Sequence, residues 1–215
     1  MSSQPGKLHP MIYEIERVHT WVGIWLEDGR KIDGGRASRG KTLPGERMPV
    51  LMARDDPHGD GRHPPSLGFH SAVWGWSGQG DGQRAVEIPI ETATTDPRWF
   101  PAYQARRCLI PFDALQVTLP DGGEYHCRFV GNFHWMGGLW TAEDDDGVLI
   151  EFAVLTAPTT GPTAFLGPRM PVVLGHYHRE GWLESGAETA IEAREQDWKV
   201  SGPLKSPGQT LGKAG

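Results

Sequence analysis

Cysteine is almost missing from this chain: Cys108 and Cys127 are the only two in 215 residues. Two thiols cannot build the disulfide framework of a small secreted domain, nor a four-cysteine zinc site. No run of 18 apolar residues occurs, and the opening MSSQPGKLHP has no apolar stretch of the signal-peptide kind. The expectation is a cytoplasmic protein of a reducing compartment, with no membrane partner. Positive charge is also in deficit, 21 Lys and Arg against 27 Asp and Glu, for a net charge of −6. A general DNA-coating role is thereby disfavoured, because nonspecific affinity comes mostly from neutralising phosphates. Flags for an activated nucleophile or a phosphate loop are absent too: there is no G-x-S-x-G and no G-x-x-x-x-G-K-[ST].

What the chain has in quantity is turn-formers and tryptophan: 29 Gly, 18 Pro and nine Trp. Nine indoles argue for a packed interior, since each leaves a large apolar surface wet if the chain stays open. The length suits one domain and is awkward for two. Alternating or continuous apolar runs predict strands at Val18–Leu26, Met48–Ala53, Ala72–Trp76, Val86–Ile90, Cys108–Ile110, Leu115–Leu119, Tyr125–Val130, Leu139–Thr141 and Leu149–Thr156. Asp28-Gly29 supplies a hairpin turn into Lys31-Ile32. Residues 33–47 and 54–68 lack periodicity and read as loops. Asp96-Pro97 starts a helix toward Arg106 that Pro101 weakens, and 179–195 has helical spacing broken near Ser185-Gly186. The fold class is mainly β with short helices (α+β), a single compact domain over 11–202, with a flexible lead at 1–10 and a flexible tail at 203–215.

Four local features could carry chemistry. Asp55, Asp56, His58, Asp60 and His63 crowd one segment, but their spacing matches no metal loop, and a solvated loop is the better reading. His176 and His178 share a face without a marked third ligand, so no metal and no cofactor is expected. Cys108 lies in an apolar run, where a thiol behaves as a small hydrophobe and resists ionising. Finally, Arg30–Arg47 holds six cations against two carboxylates, and could either follow a phosphate backbone or be a solvated loop. The acidic turn Glu143–Asp146 would repel nucleic acid, so DNA, if bound, lies away from it.

Several segments in order carry a resemblance. Trp74-Gly75, Glu91-Thr92, Arg107-Cys108-Leu109-Ile110-Pro111 with Asp113, Gly138-Leu139-Trp140, Phe152–Thr156, Arg169-Met170-Pro171-Val172-Val173-Leu174 and Trp182-Leu183 span roughly 48–185. Together they resemble the SOS-response-associated peptidase (SRAP) family. The resemblance implies a single compact, mostly β SRAP-like domain. It also implies a sensor of abasic sites in single-stranded DNA, whose N-terminal cysteine closes a thiazolidine on the sugar aldehyde with help from an Asn, a Glu and a His. Both nucleophiles sit on one residue there, and the intramolecular closure makes the adduct last.

This chain departs from that pattern at each chemical position. Ser2 follows Met1 where the cysteine belongs, Glu87 falls on the Asn, Val117 on the Glu and Gly167 on the His. Pro89 stands in place of a DNA-contacting Arg, and the only asparagine of the chain is Asn132, far from the motif. A serine hydroxyl without a general base is a poor nucleophile, so any adduct at Ser2 should be transient. The expectation is a catalytically degenerate domain, a pseudoenzyme acting as a binding module for single-stranded or junction DNA, or for a protein. The candidate DNA contacts are Arg36, Arg39, Lys41, Trp74, Trp76 and Arg169, although Arg169 could equally lock its strand by an ion pair to Glu91 or Asp113. The alternatives are an active abasic-site crosslinking or peptidase enzyme using Ser2 or a relocated residue, and a structural or assembly protein.

Overall fold

The structure, a computed structural model, describes residues 12–17, 21–25, 31–36, 40–54, 66–77, 84–130, 134–141, 150–159, 161–175, 179–184 and 198–204. Strands dominate. In chain order they are β1 (Ile12–Arg17), β2 (Trp21–Trp25), β3 (Lys31–Arg36), β4 (Gly40–Thr42), β5 (Arg47–Arg54), β6 (Ser66–Trp74) and β7 (Glu87–Pro89). Two short helices follow, α1 (Ile90–Ala93) and α2 (Phe100–Ala105), then β8 (Arg107–Phe112), β9 (Ala114–Thr118), β10 (Glu124–Phe129), β11 (His134–Trp140) and β12 (Glu151–Pro158). A 3₁₀ turn at Gly161–Leu166, β13 (Arg169–Pro171), β14 (Val173–Leu174), α3 (Arg179–Glu184) and β15 (Trp198–Ser201) complete the order. No helix among the described residues is long and apolar enough to cross a membrane.

The pairings β5–β6, β6–β12, β12–β11, β11–β8 and β8–β5 close into a ring, with only the β6–β12 pair parallel. A second sheet runs β15-β10-β9-β1-β4, and β2 pairs with β3 in a separate ribbon. The chain passes from the ring into the second sheet at Asp113, whose N–H donates to the Glu16 carbonyl at 2.9 Å. Pleat alternation sorts the apolar residues into two cores. Met48, Val50, Met52, Cys108, Ile110 and Phe152 join Ile15, Leu115, Val117 and Trp198 of the second sheet. Leu51, Leu109, Leu139 and Ala153 point the other way, toward Trp99, Tyr103 and Trp182 on and beside the helices. That explains why β8 (RCLIPF) is buried at every position: both of its faces are covered, so it reads as one continuous apolar run.

Several sequence expectations are corrected here. Residues 33–47 are not all loop: β3 extends to Arg36 and β4 adds a strand at the sheet edge, because backbone pairing tolerates Gly and charged side chains there. Ser66–Leu67 belong to β6, and Ile90 begins α1 rather than ending a strand. The helix expected from Asp96-Pro97 starts at Phe100. Its Pro101 falls in the first turn, where the missing N–H costs nothing. Asp96 instead caps the preceding turn, accepting from the Arg98 N–H at 2.9 Å. Of the helical stretch 179–195 only α3 is described; 185–195, most of the tail, the lead at 1–10 and the Asp28-Gly29 turn lie outside the described residues.

Candidate functional site

Glu91, Thr156 and Arg169 meet where β12 ends. β12 is flanked there by two strands: Thr156 opposes Pro89 of β7 and Pro171 of β13. α1 follows β7 without a gap, so Glu91 stands just past that strand. From β13, the Arg169 guanidinium reaches across β12 to α1. Its Nε donates to Thr156 Oγ1 at 3.0 Å and its Nη2 to the Thr156 carbonyl at 2.7 Å. Nη1 and Nη2 then donate to Glu91 Oε1 and Oε2 at 2.8 and 2.6 Å, a two-pronged pair that suits the planar fork of arginine. Hydrogen bonding from Arg169 holds the Glu91 carboxyl below the ordinary carboxylate range. Of the two partners that the sequence allowed for Arg169, the structure selects Glu91.

Glu87 lies beside this pair. In β7 it opposes Val154, two residues before Thr156 on β12, and it is half-buried. Burial pushes its carboxyl above the ordinary range, and the Arg169 guanidinium offsets that push only in part. No hydrogen bond or ion pair to Glu87 is found among the described residues. A carboxyl raised in the folded protein binds more protons folded than unfolded, so its burden on stability grows as pH rises from the unfolded value of about 4.3 through the raised one. Glu87→Gln is therefore expected to raise the melting temperature at neutral pH, with the gain vanishing at pH 4 and below. A gain that is independent of pH would contradict this.

A second polar knot fixes the approach to β7. Glu151 at the start of β12 is nearly buried, and its Oε2 accepts from the Ser77 N–H and hydroxyl at 2.8 and 2.7 Å. Its Oε1 accepts from Arg84 Nη1 at 2.6 Å, and the same nitrogen reaches the Gly75 carbonyl at 2.9 Å. Both ends of the segment from Ser77 to Arg84 are thus tied to one carboxylate. Gly75 itself turns at φ +121°, where a side chain would be strained and would also crowd Arg84. Nothing in the sequence pattern marked Glu151, because its partners lie 67 and 74 residues away.

The other candidates separate. Trp74 is fully buried, its indole N–H bonded to the Val86 carbonyl at 2.9 Å and its ring stacked on Phe152. With no free face it cannot stack on a base, and the expectation of a DNA contact there is corrected: it is core. Trp76 is partly exposed and meets Trp99 edge to face, centroids 5.0 Å apart. Lys41 lies on the second sheet, paired with Glu14 at 2.9 Å and bonded to Gln116. Arg36 ends β3, which packs against β6; its side chain, like Ser2 and Arg39 entirely, lies outside the described residues. Val117 is buried between the two sheets, and Gly167 precedes β13 with no side chain to offer. Both cysteines are buried, and burial drives their thiols far toward the neutral form, which disfavours a thiolate at either. Among the described residues no three His, Cys, Asp or Glu gather to hold a metal; the clusters at 55–63 and 176–178 lie outside them.

Comparison with known proteins places this geometry. A family profile described as SOS response associated peptidase (SRAP) matches residues 25–202. None of the curated proteins matches the chain. A crystal structure from Bacteroides thetaiotaomicron is similar at TM-score 0.58 and 16% identity, over 79% of this chain and 78% of that one. One from Bordetella bronchiseptica is similar at 0.59 and 16%, over 79% and 90%. A phage-related protein from the same organism is similar at 0.59 and 20%, over 82% and 86%.

Proposed function

Since the chain belongs to the SOS response associated peptidase (SRAP) family, we propose that it is a catalytically degenerate member working as a binding module, with a protein as its partner. The observation that carries this reading is that the cationic DNA-contact candidates with described side chains are already neutralised, Lys41 by Glu14 and Arg169 by Glu91. Where the resemblance calls for a Glu there is the sealed apolar Val117, and where it calls for a His there is Gly167. No described side chain near Arg169 can attack an aldehyde and keep it. The polar face of Arg169, Glu91 and Glu87 suits a partner that offers donors rather than a chain of phosphates.

A second reading, single-stranded or junction DNA, draws on the basic stretch Arg30–Arg47, which includes Arg36 and Arg39. One assay addresses chemistry and partner together. The purified full chain is mixed with an abasic single-stranded oligonucleotide, with and without borohydride, and run under denaturing conditions. The expected result is no covalent band without reductant. A stable band mapping to Ser2 would overturn the reading. Binding of intact oligonucleotides at low salt, with the mass in size-exclusion chromatography, then separates the protein from the DNA reading.

A further inference from the structure

Arg169 has few donors left to give. Four of its hydrogen bonds are committed, two to Glu91 and two to Thr156. A phosphate could engage it fully only by displacing the Glu91 carboxylate, whose side chain is about half exposed and so borders solvent into which it could turn. That alone would make the pair a replaceable stopper. Glu87 changes the outcome. It is half-buried, is held by the backbone of β7 rather than by a flexible loop, and makes no hydrogen bond or ion pair among the described residues. Its register opposite Val154 puts it two residues along β12 from Thr156, the residue that Arg169 grips, and the Arg169 charge acts on its carboxyl. Once Glu91 is displaced, Glu87 remains on the neighbouring strand, and an incoming phosphate meets a second negative charge beside Arg169. With Glu91 in place the cluster carries two carboxylates against one guanidinium, a local excess of negative charge.

We infer that Glu87 is the specificity-determining residue of this site, excluding phosphate from Arg169 at neutral pH and leaving the site to partners that bring uncharged or cationic groups. The inference rests on the binding-module reading and says what that module rejects. An unpartnered, desolvated carboxylate costs the fold stability, and a site that discriminates by like-charge repulsion is one place where such a cost is repaid. Glutamine at the same place keeps the shape and removes the charge.

The test is fluorescence anisotropy of a labelled, intact, short single-stranded oligonucleotide against the full chain at low salt and pH 7.5. Four proteins are compared: wild type, Glu87→Gln, Glu87→Gln with Arg169→Met, and Asp145→Asn, which removes the same charge from the acidic run Glu143–Asp146 of the sequence. Circular dichroism melts confirm that each is folded. Glu87→Gln should bind about tenfold tighter than wild type, the size of one like-charge contact of ~1.4 kcal/mol. The gain should disappear with Arg169→Met, and Asp145→Asn should show little of it. Equal affinity of Glu87→Gln and wild type would overturn the inference, as would a gain that survives loss of Arg169 or that Asp145→Asn reproduces. Because the oligonucleotide carries no abasic site, none of these outcomes bears on the absence of covalent chemistry. A reductant-free adduct in the earlier assay would fail that reading while leaving this comparison interpretable.

Discussion

Trp182→Ala is expected to lower stability by about 3–5 kcal/mol, the range for emptying a fully buried aromatic position. The indole is 0% exposed and lies where α3 meets the ring of strands. Its N–H donates to the Cys108 carbonyl of β8 at 3.0 Å, and Tyr103 of α2 meets it edge to face at 6.0 Å. Gly137 of β11 lies against the same ring, since a methyl built there would be 3.5 Å from the indole. Arg107 adds a second tie: its Nε donates to the Trp182 carbonyl at 2.5 Å while Nη1 donates to the Tyr103 and Gln104 carbonyls at the end of α2. Removing the indole therefore opens a cavity and loosens the join of α2 and α3 to β8 together. Urea unfolding followed by tryptophan fluorescence and far-UV circular dichroism measures it. A loss under about 1.5 kcal/mol, well below the usual cost of such a cavity, would mean that α3 contributes little to the folded unit. Trp182→Phe, which keeps most of the volume but not the N–H, should cost about 1–2 kcal/mol.

The second large effect is expected at Glu151. Glu151→Ala removes the buried carboxylate that ties the exposed Ser77, through its N–H and hydroxyl, to Arg84, at a cost of about 1.5–3 kcal/mol, the range for hydrogen bonds to a charged group. The figure stays below that of a fully buried pair, because Arg84 is 43% exposed and can rehydrate. Glu151→Gln keeps one oxygen for Ser77 and should cost less than half as much. The consequence for the site is specific. Glu151 holds the segment that delivers the chain into β7, so its loss should speed amide exchange at Val86, Glu87 and Ile88 more than in β10 or β15 on the other sheet. Hydrogen exchange that rises equally in both sheets would show that Glu151 serves global stability rather than the placement of Glu87.

Much of the strand framework was legible in the sequence. Met48–Ala53 falls inside β5, Leu115–Leu119 and Tyr125–Val130 match β9 and β10 to within one residue at each end, and Cys108–Ile110 is the middle of the longer β8, because each has at least one face that must be buried and the side-chain pattern records it. The elements that escaped are those with little apolar signal. β4 (GKT) and β13 (RMP) are three residues long, and β1 carries Glu14 and Glu16 on its polar face. Such strands exist because a neighbour offers unpaired backbone groups, which no window of side chains reports.

The residues of the site were legible as types and not as an arrangement. Order and spacing of the motifs already spoke for the family scaffold. Whether Arg169 was free for a ligand, whether Trp74 offered a face and whether Glu87 stood near a cation depended on contacts between residues far apart in the chain. Arg169 and Glu91 are separated by 78 positions, and they meet because β13 and β7 lie on opposite sides of β12. Local pattern determines which residues can pair with a neighbouring strand; only the assembled sheet determines which charges then stand within reach of one another, because Coulomb energy follows distance in space and not along the chain.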